Sequence, residues 1–310
     1  MKIVVAGGSG FLGSLLCGMY AEDGHDVRVL TRSLPPGRLE HDPGTGMPGI
    51  TRVGWTSTAS DAALVTAIDG ADAIVNLAGA PLPDARWTKT RKRALRDSRV
   101  LATEALAMAI ARASQRPRVF VSASGAGYYG HRGDEPLTET ADPGDDFLAR
   151  LCVEWERAAE AASADGTRVV CLRSGVVLER TGGALPKMSL PFRFFAGGHI
   201  GAGRQYVSWI HQLDWVELVR WVVQDESVRG PVNATAPHPV TNAEFSRALG
   251  RALHRPSLIP VPSFILRAAL GEMADMLLTG QRVIPARARQ GGFHFRYPEI
   301  EIAFRGIFGE

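Results

Sequence analysis

The sequence predicts an α/β fold in which a doubly wound parallel sheet is followed by a smaller, less regular part. Three observations predict it: strand-like and helix-like segments alternate from the first residue, a glycine-rich turn follows the first strand, and glycines and prolines cluster after Ser174. With 310 residues, 45% of them hydrophobic, the chain can bury one large core or two closely coupled ones.

The first part contains six short apolar segments of the kind that form buried parallel strands. These predicted strands span residues 2–6, 26–31, 50–55, 73–78, 118–122 and 168–173. Helical patterns lie between them, at residues 11–23, 60–68, 88–113 and 146–164. Residues 33–49 are rich in proline and glycine without periodicity, which predicts a loop.

The second part contains fewer periodic segments. Thr241 and Glu244 have the spacing of a capping box, which predicts a helix that begins there and ends near residue 253. Apolar periodicity predicts further helices over residues 185–195 and 263–278.

The domain organisation follows from this change in composition and periodicity after Ser174. We predict a nucleotide-binding Rossmann domain of residues 1–176, to which residues 207–235 return, and a smaller C-terminal part, 177–310, that forms the substrate cleft.

Charge and cysteine content exclude several classes of protein. The 35 basic and 32 acidic residues are mixed along the chain, so no nucleic-acid partner is expected. Cys17, Cys152 and Cys171 are far apart and fall in helix or strand interiors, so we predict buried free thiols and no metal site. Without a long apolar run or a cleavage site, we expect a cytoplasmic monomer or homodimer with no membrane partner.

The turn after the first strand has the spacing of a dinucleotide site. Gly7, Gly10 and Gly13 form a G-x-x-G-x-x-G pattern, and the helix that begins at Phe11 and Leu12 presents free amides to a phosphate. The first glycine permits the tight turn, the second lets the backbone approach the pyrophosphate, and the third lets helix and strand pack closely.

The end of the second strand indicates which dinucleotide is bound. An NAD site usually has an acid there that accepts hydrogen bonds from the ribose hydroxyls, whereas this chain has Arg32 and Ser33. A guanidinium suits a 2′-phosphate and a serine adds a donor, so NADP is favoured over NAD, with Arg38 as a further cation. A solvated arginine at a strand end is the alternative interpretation.

Several strings along almost the whole chain resemble one large family. The strings at predicted strand ends are Gly7 to Gly13, Asn76-Leu77-Ala78-Gly79, Ser122-Ala123-Ser124 and Leu172-Arg173-Ser174-Gly175-Val176-Val177. More specific strings are Gly127-Tyr128-Tyr129-Gly130, Ala184-Leu185-Pro186-Lys187-Met188, Ser208-Trp209-Ile210-His211 and Leu278-Thr279-Gly280-Gln281-Arg282-Val283-Ile284-Pro285. Together they resemble the short-chain dehydrogenase/reductase superfamily, and within it the atypical NAD-dependent epimerase/dehydratase-like proteins with a short C-terminal domain of undefined role.

The resemblance implies further cofactor contacts. Beneath the adenosine ribose it places Asn76, Leu77, Ala78 and Gly79. At the edge of the nicotinamide it places Ser122 and Ser124, and over the far side of the ring Ser174, Gly175 and Val176. The alternative for each is a packed strand end beside a glycine.

The catalytic pattern of the superfamily is incomplete in this chain. Its Tyr-x-x-x-Lys pair should lie near residues 145–152, which contain neither residue type, and Arg99 replaces an asparagine of the preceding helix. Ser124 is present, and Tyr129 or Tyr128 on the same loop is the candidate replacement acid. Both tyrosines are equally well explained as structural residues.

His211 is a possible general base, but its place at the start of a predicted helix favours a structural role. The loop 182–206 is expected to roof a substrate cleft, where Lys187 and Arg204 can meet an anion or remain solvated. The aromatic residues Phe192, Phe194, Phe195 and Trp209 indicate an apolar pocket or plain core.

These observations predict an NADP(H)-binding oxidoreductase or epimerase-like enzyme that acts on a small molecule. A catalytically silent NADP(H)-binding sensor or scaffold is the alternative from another class, because the usual tyrosine and lysine are missing. A nucleotide-sugar epimerase or dehydratase is the third possibility, which the missing tyrosine weakens.

Overall fold

The computed structural model describes residues 1–41, 49–57 and 62–309. The strands are β1 (Lys2–Ala6), β2 (Asp26–Thr31), β3 (Leu39–His41), β4 (Ile50–Gly54), β5 (Ala73–Asn76), β6 (Val119–Gly125), β7 (Pro136–Leu137), β8 (Arg168–Ser174), β9 (Val176–Leu178), β10 (Tyr206–Val207), β11 (Trp209–His211), β12 (Gly230–Ala234), β13 (Val240–Thr241) and β14 (Arg282–Val283). The helices are α1 (Phe11–Glu22), α2 (Ala62–Ile68), α3 (Lys89–Arg112), α4 (Phe147–Glu160), α5 (Leu185–Arg193), α6 (Gln212–Gln224), α7 (Asn242–Ala252), α8 (Ser263–Leu270), α9 (Asp275–Leu278), α10 (Ala286–Gln290) and α11 (Ile300–Phe308). Short 3₁₀ turns span Leu82–Asp84, Ala126–Tyr129, Ala161–Asp165 and Gly271–Ala274.

The main sheet has the strand order β12-β8-β6-β5-β1-β2-β4-β3. All neighbouring strands run parallel except the edge strand β3, which pairs antiparallel with β4. The strand order reverses direction around β1, so the carboxyl ends of β1, β2 and β5 border one crevice. The predicted doubly wound sheet is therefore confirmed.

Both faces of the sheet are buried, which explains the continuous apolar sequence of its strands. In β1, Ile3 and Val5 pack with α1 and α6, whereas Val4 and Ala6 pack with α2 and α3. Because successive side chains of a strand point to opposite faces, one five-residue strand contributes to both layers of the core.

Two strands of the sheet were not predicted. β3 lies in the segment predicted as the loop 33–49, of which residues 42–48 are outside the described part. β12 contains Gly230 and Pro231, which argue against a strand, but it pairs with β8 alone. Proline is tolerated there because one side of an edge strand carries no ladder hydrogen bonds. The predicted helix over 60–68 is observed as α2, and its first two residues also lie outside the described part.

In the C-terminal part, α5, α7 and α11 enclose a separate core around Phe192, Phe245 and Phe304. The predicted capping box of α7 is present, since Thr241 and Glu244 hydrogen-bond reciprocally. The single helix predicted over residues 263–278 is wrong. It divides into α8, a 3₁₀ turn and α9, because Gly271 adopts a φ of +61° that interrupts the helix.

Two-stranded sheets outside the main sheet join segments that are distant in the sequence. β14 pairs in parallel with β7, and β11 pairs in parallel with β9. Among the described residues, no helix is both long and apolar enough to cross a membrane.

Candidate functional site

The glycine turn after β1 is closely packed at two of its glycines. A Cβ atom on Gly13 would lie 2.2 Å from the Gly7 carbonyl oxygen, and one on Gly7 would lie 2.8 Å from the Leu77 carbonyl carbon. Gly7 also has a φ of +80°, a conformation that L side chains rarely adopt. At Gly10 the nearest atom is 3.2 Å away, so that side of the turn is the open one.

The first turn of α1 leaves donors for an anion. The first helical hydrogen bond runs from the Ser14 amide to the Gly10 carbonyl, and no side chain caps the helix. The amides of Phe11, Leu12 and Gly13 donate to no acceptor among the described residues. Three free amides at the positive end of a twelve-residue helix suit a diphosphate.

Cations and hydroxyls gather where β2 ends. Arg32 is exposed and donates to no acceptor within the described residues. The Ser33 hydroxyl lies 2.8 Å from the Thr31 hydroxyl and accepts a 2.8 Å hydrogen bond from Arg52. Arg52 lies on β4, where the sheet register pairs it with Val29. Sequence reasoning missed this residue, since only the pairing of β2 with β4 brings it beside Ser33. Arg38 lies on the same loop, with its carbonyl bonded to the Gly54 amide.

The turn after β5 is shaped by a buried amide. The Asn76 side chain donates to the Thr103 hydroxyl at 2.8 Å and accepts from the Ala78 amide at 3.1 Å. The Leu77 amide bonds to the Ala6 carbonyl, which joins this turn to β1. The backbone of residues 76–79 therefore has one fixed path beside the glycine turn.

Arg99 lies directly under this turn. It is 8% exposed, and its guanidinium donates to the carbonyls of Leu95 and Ala80 at 3.0 and 2.9 Å. A Cβ on Gly79 would lie 3.1 Å from the guanidinium carbon, which also lies 5.2 Å from the Trp155 ring. Burial lowers the pKa of Arg99 to about 10, so it stays protonated at neutral pH. Within the part of the chain described, it has no ion-pair partner.

A buried hydrogen-bond network lies at the ends of β6 and β8. The Ser124 hydroxyl donates to Glu156 Oε1 at 2.6 Å. Arg173 holds both oxygens of Glu156, through Nε and Nη2 at 2.8 Å each. Burial opposes the charge of Arg173, but the hydrogen bonds and the charge of Glu156 outweigh it and raise the pKa of the guanidinium. Sequence reasoning did not identify Glu156.

Of the two candidate tyrosines, Tyr129 faces the interior. It is fully buried, its phenol donates to the Asn233 side-chain oxygen at 2.6 Å, and it accepts from Arg173 at 3.1 Å. Burial raises the pKa of Tyr129 to about 12. The phenol is thus already used inside the protein.

Tyr128 is half-buried, and the guanidinium carbon of Arg173 lies 3.3 Å from the centre of its ring. Burial raises the pKa of Tyr128, while the positive charge of Arg173 opposes that effect. Its phenol is neutral at physiological pH. Arg173 is therefore the cation that lies beside the candidate acid, in the role that the superfamily resembled by the sequence gives to a lysine.

The first turns of α4 fill the place of the missing catalytic pair with apolar groups. Leu148 packs against Gly127, where an added Cβ would lie 3.1 Å from the Leu148 Cβ. The Cys152 sulfur lies 3.7 Å from the Gly125 carbonyl oxygen, and burial raises the pKa of this thiol to about 11. All three cysteines are free and buried, as predicted.

The remaining predicted cofactor residues lie near the same edge of the sheet. Ser122 is in the middle of β6, in register with Asn76 at the end of β5, and is 1% exposed. The Ser174 hydroxyl accepts from the Trp215 indole at 2.9 Å. Gly175 lies so close to the next segment that an added Cβ would be 2.4 Å from the Ser208 carbonyl oxygen, which also accepts from the Val176 amide. These residues shape the floor of the crevice.

His211 is a capping residue of α6. Its Nδ1 accepts from the Leu213 amide at 3.1 Å, and its ring stacks on Tyr297 at 3.8 Å. Burial, with the nearby charge of Arg296, lowers the pKa of His211 to about 4. The structural role that the sequence favours is the one observed.

The C-terminal part approaches the glycine turn through Gly182 and Gly183. A Cβ on Gly182 would lie 2.3 Å from the Phe11 ring, so this turn rests on the first residue of α1. Lys187 is exposed, with its ammonium 3.9 Å from Asp84, and Arg204 is also exposed. The interpretation of the aromatic group as pocket or core holds only in part. Phe192 and Trp209 are core residues, whereas Phe194 and Phe195 are exposed.

A glycine turn with free amides, cations at the end of β2 and a strand order that reverses at β1 define a dinucleotide-binding protein of the Rossmann class. The chain belongs to the NAD dependent epimerase/dehydratase family, whose model matches residues 3–234. A domain of unknown function, DUF1731, matches residues 261–307. Both matches confirm the resemblance.

Relatives of nearly the same length are similar over the whole chain. An epimerase family protein of Bacillus subtilis, YfhF, is 37% identical over 311 residues, which cover 100% of this chain and 99% of the relative. The chloroplastic SDR39U1 homologue of Arabidopsis thaliana is 40% identical over 99% of this chain and 86% of its own. The crystal structure of human SDR39U1, isoform 2, was solved with NADPH. It has a TM-score of 0.87 and 36% identity, with 100% of both chains covered.

Proposed function

We propose that the chain binds NADP(H) and uses it as an oxidoreductase or epimerase-like enzyme on a small molecule. The observation that carries the cofactor proposal is the group of Arg32, Ser33 and Arg52 at the end of β2, where an NAD site would carry an acid. The free amides of α1 fit the diphosphate. NADPH in the human relative supports the same choice.

When bound, the cofactor supplies a hydride donor or acceptor at its nicotinamide. For the substrate we propose two polar groups at the carboxyl ends of the strands. The neutral Tyr128 phenol is the group that exchanges a proton with a substrate oxygen. Because Glu156 already accepts the Ser124 proton, the free lone pairs of the Ser124 oxygen are available to accept a hydrogen bond from a substrate hydroxyl.

A binding titration tests the cofactor proposal. Removing a cation from a charged hydrogen bond costs about 1.5–3 kcal/mol, so Arg32→Ala should weaken NADPH binding roughly ten- to a hundredfold and leave NADH binding unchanged. Arg28→Ala is the matched control, since Arg28 lies on β2, which leads into Arg32, and pairs with Asp26. Tighter binding of NADH than NADPH to the unmodified protein would contradict the proposal, as would equal effects of the two variants.

The second candidate is an NADP(H)-binding sensor or scaffold without turnover. Leu148 and Cys152 favour it, because they occupy the start of α4 with apolar groups instead of the usual acid and cation. A nucleotide-sugar epimerase or dehydratase is less well supported for the same reason.

Nicotinamide fluorescence, followed across a panel of alcohols, carbonyl compounds and nucleotide sugars, separates these candidates. For an enzyme we expect turnover that falls at least roughly a hundredfold in Tyr128→Phe. NADPH affinity should stay unchanged in that variant. Turnover that survives in both Tyr128→Phe and Ser124→Ala would refute the site, and NADPH binding without any turnover would favour the sensor. A cytoplasmic location and the monomeric or dimeric state stay predictions.

A further inference from the structure

The C-terminal part has a surface on which large apolar side chains are left in solvent. We call it the arginine–aromatic face. Its apolar members are more than half exposed: Phe194 is 74% exposed, Phe195 58%, Leu258 81%, Ile259 53% and Leu190 52%. Isolated exposed apolar residues are ordinary, but a cluster of them usually marks an interaction site.

These residues are neighbours in space although they come from two segments. The Ile259 amide donates to the Gly197 carbonyl at 3.0 Å, and Gly197 forms a bridge with Ser257. Gly250, near the end of α7, lies so close that an added Cβ would be 2.8 Å from the Arg255 carbonyl oxygen. The ends of α5 and α7 and the segment 255–259 therefore form one continuous surface.

Basic residues predominate on this face. A groove of about 560 Å³ beside the apolar residues is lined by Arg247, Arg251, His254 and Arg255 with Ser257 and Leu258. The two segments that build the face, residues 180–213 and 245–271, contain no aspartate or glutamate. Arg251 pairs with Glu301 of α11, and the guanidinium of Arg255 lies 4.6 Å from the Phe195 ring.

The two helices that border this face end in the same way. Among the described non-glycine residues, only Phe195 and His254 have positive φ values, +59° and +51°. Each follows the C-cap of its helix, and the bonds from the Phe195 amide to the Phe192 carbonyl and from the His254 amide to the Arg251 carbonyl belong to a Schellman motif. These helix ends place both residues on the arginine–aromatic face.

We propose that this face docks the protein onto the surface of an anionic phospholipid bilayer. Aromatic and aliphatic side chains enter the interfacial layer, and the surrounding arginines meet lipid phosphates. A second copy of the chain fits less well, because a two-fold symmetric contact would place arginines against arginines. A free anion would leave the apolar residues in water. The sequence expectation of no membrane partner depended on the lack of a spanning segment, which peripheral binding does not require.

Vesicle flotation of the full chain tests the proposal. With vesicles that contain about 30% phosphatidylglycerol in phosphatidylcholine, we expect binding that falls steeply between about 0.05 and 0.5 M NaCl. The reason is that added salt screens the attraction between the arginines and the lipid phosphates. Pure phosphatidylcholine vesicles should bind far less. Phe194→Ser with Leu258→Ser, and separately Arg255→Glu, should each weaken binding roughly tenfold or more.

Matched controls use residues far from this face. Leu39 is 62% exposed on β3, and Arg157 is exposed on α4. The variants Leu39→Ser and Arg157→Glu should bind vesicles like the unmodified protein. NADPH affinity is the folding check for every variant. The proposal is overturned if anionic vesicles are not bound, or if the face and control variants bind equally. It is also overturned if Phe194→Ser instead dissolves a dimer seen by sedimentation, which would make the face a self-association surface.

Discussion

Glu156→Gln should destabilise the protein far more than Glu154→Gln. The side chains of Arg173 and Glu156 are only 4% and 8% exposed, and they share two hydrogen bonds of 2.8 Å. Glutamine keeps the shape but removes the charge, so Arg173 becomes a buried cation without compensation. The loss of one partner from such a pair costs about 3–5 kcal/mol.

The size of the thermal shift follows from chain length. At about 2.1 cal/mol/K per residue, a chain of 310 residues has an unfolding entropy of about 0.65 kcal/mol/K, so this loss lowers Tm by about 5–8 °C. Differential scanning calorimetry measures the shift directly. Glu154→Gln is the control, because Glu154 lies on the same helix as Glu156 but pairs with Arg96 of α3, and these two side chains are 45% and 43% exposed. An exposed pair contributes less than about 1 kcal/mol, or about 1–2 °C.

A shift of less than 2 °C in Glu156→Gln, or equal shifts in both variants, would refute the assignment of this pair as a buried structural element. The double variant Glu156→Gln with Arg173→Met supplies a further check. Removing both charges should restore part of the lost stability, since the isolated buried cation is the main cost. No recovery would mean that packing, rather than charge, dominates at this position.

Three further predictions concern separate parts of the molecule. Burial lowers the pKa of His211 to about 4, so its contribution to stability is fully present above pH 6.5. About 3 kcal/mol of the free energy of unfolding is lost as the pH falls towards 4. The variant His211→Asn keeps the cap and should remove this pH dependence in urea titrations. An alanine at Gly13 would place its Cβ 2.2 Å from the Gly7 carbonyl oxygen, so Gly13→Ala should abolish NADPH binding and lower Tm by several °C. In the control Gly125→Ala, the nearest atom to the new Cβ is the Cys152 sulfur at 3.7 Å, so Tm should not change. The buried thiols of Cys17, Cys152 and Cys171 should resist alkylation until the protein unfolds in denaturant; rapid labelling of the native protein would contradict their burial.

The parts of the fold that the sequence predicted well are those whose burial leaves a direct mark on composition. β1 is apolar at nearly every position because helices cover both of its faces, and its predicted and observed ends agree. β12 left no such mark. Its glycine and proline are acceptable only because it is an edge strand, and the sequence alone does not show which strand lies at the edge.

The same difference applies to the candidate site, where features that are local in sequence were predicted and contacts between distant residues were not. The glycine turn is local in sequence, so its spacing was visible. Glu156 was missed because its partners lie 32 and 17 residues away on two different strands. A signal was nonetheless present: an acid between Trp155 and Ala159 on the apolar face of a helix is unusual, and burial of such a residue requires a partner.

The connection between Asn233 and the last fifty residues limits how this protein can be rearranged. The Asn233 side chain donates to the Ile284 carbonyl, and Glu139 accepts from the amides of both Asn233 and Arg287. A gene fusion or circular permutation that separated residues 281–287 from the sheet would leave the buried Glu139 carboxylate and the buried Asn233 side-chain amide without hydrogen-bond partners from that segment. In evolution, therefore, the two parts are expected to be inherited as one indivisible unit, and recombination at their boundary should yield unstable chains.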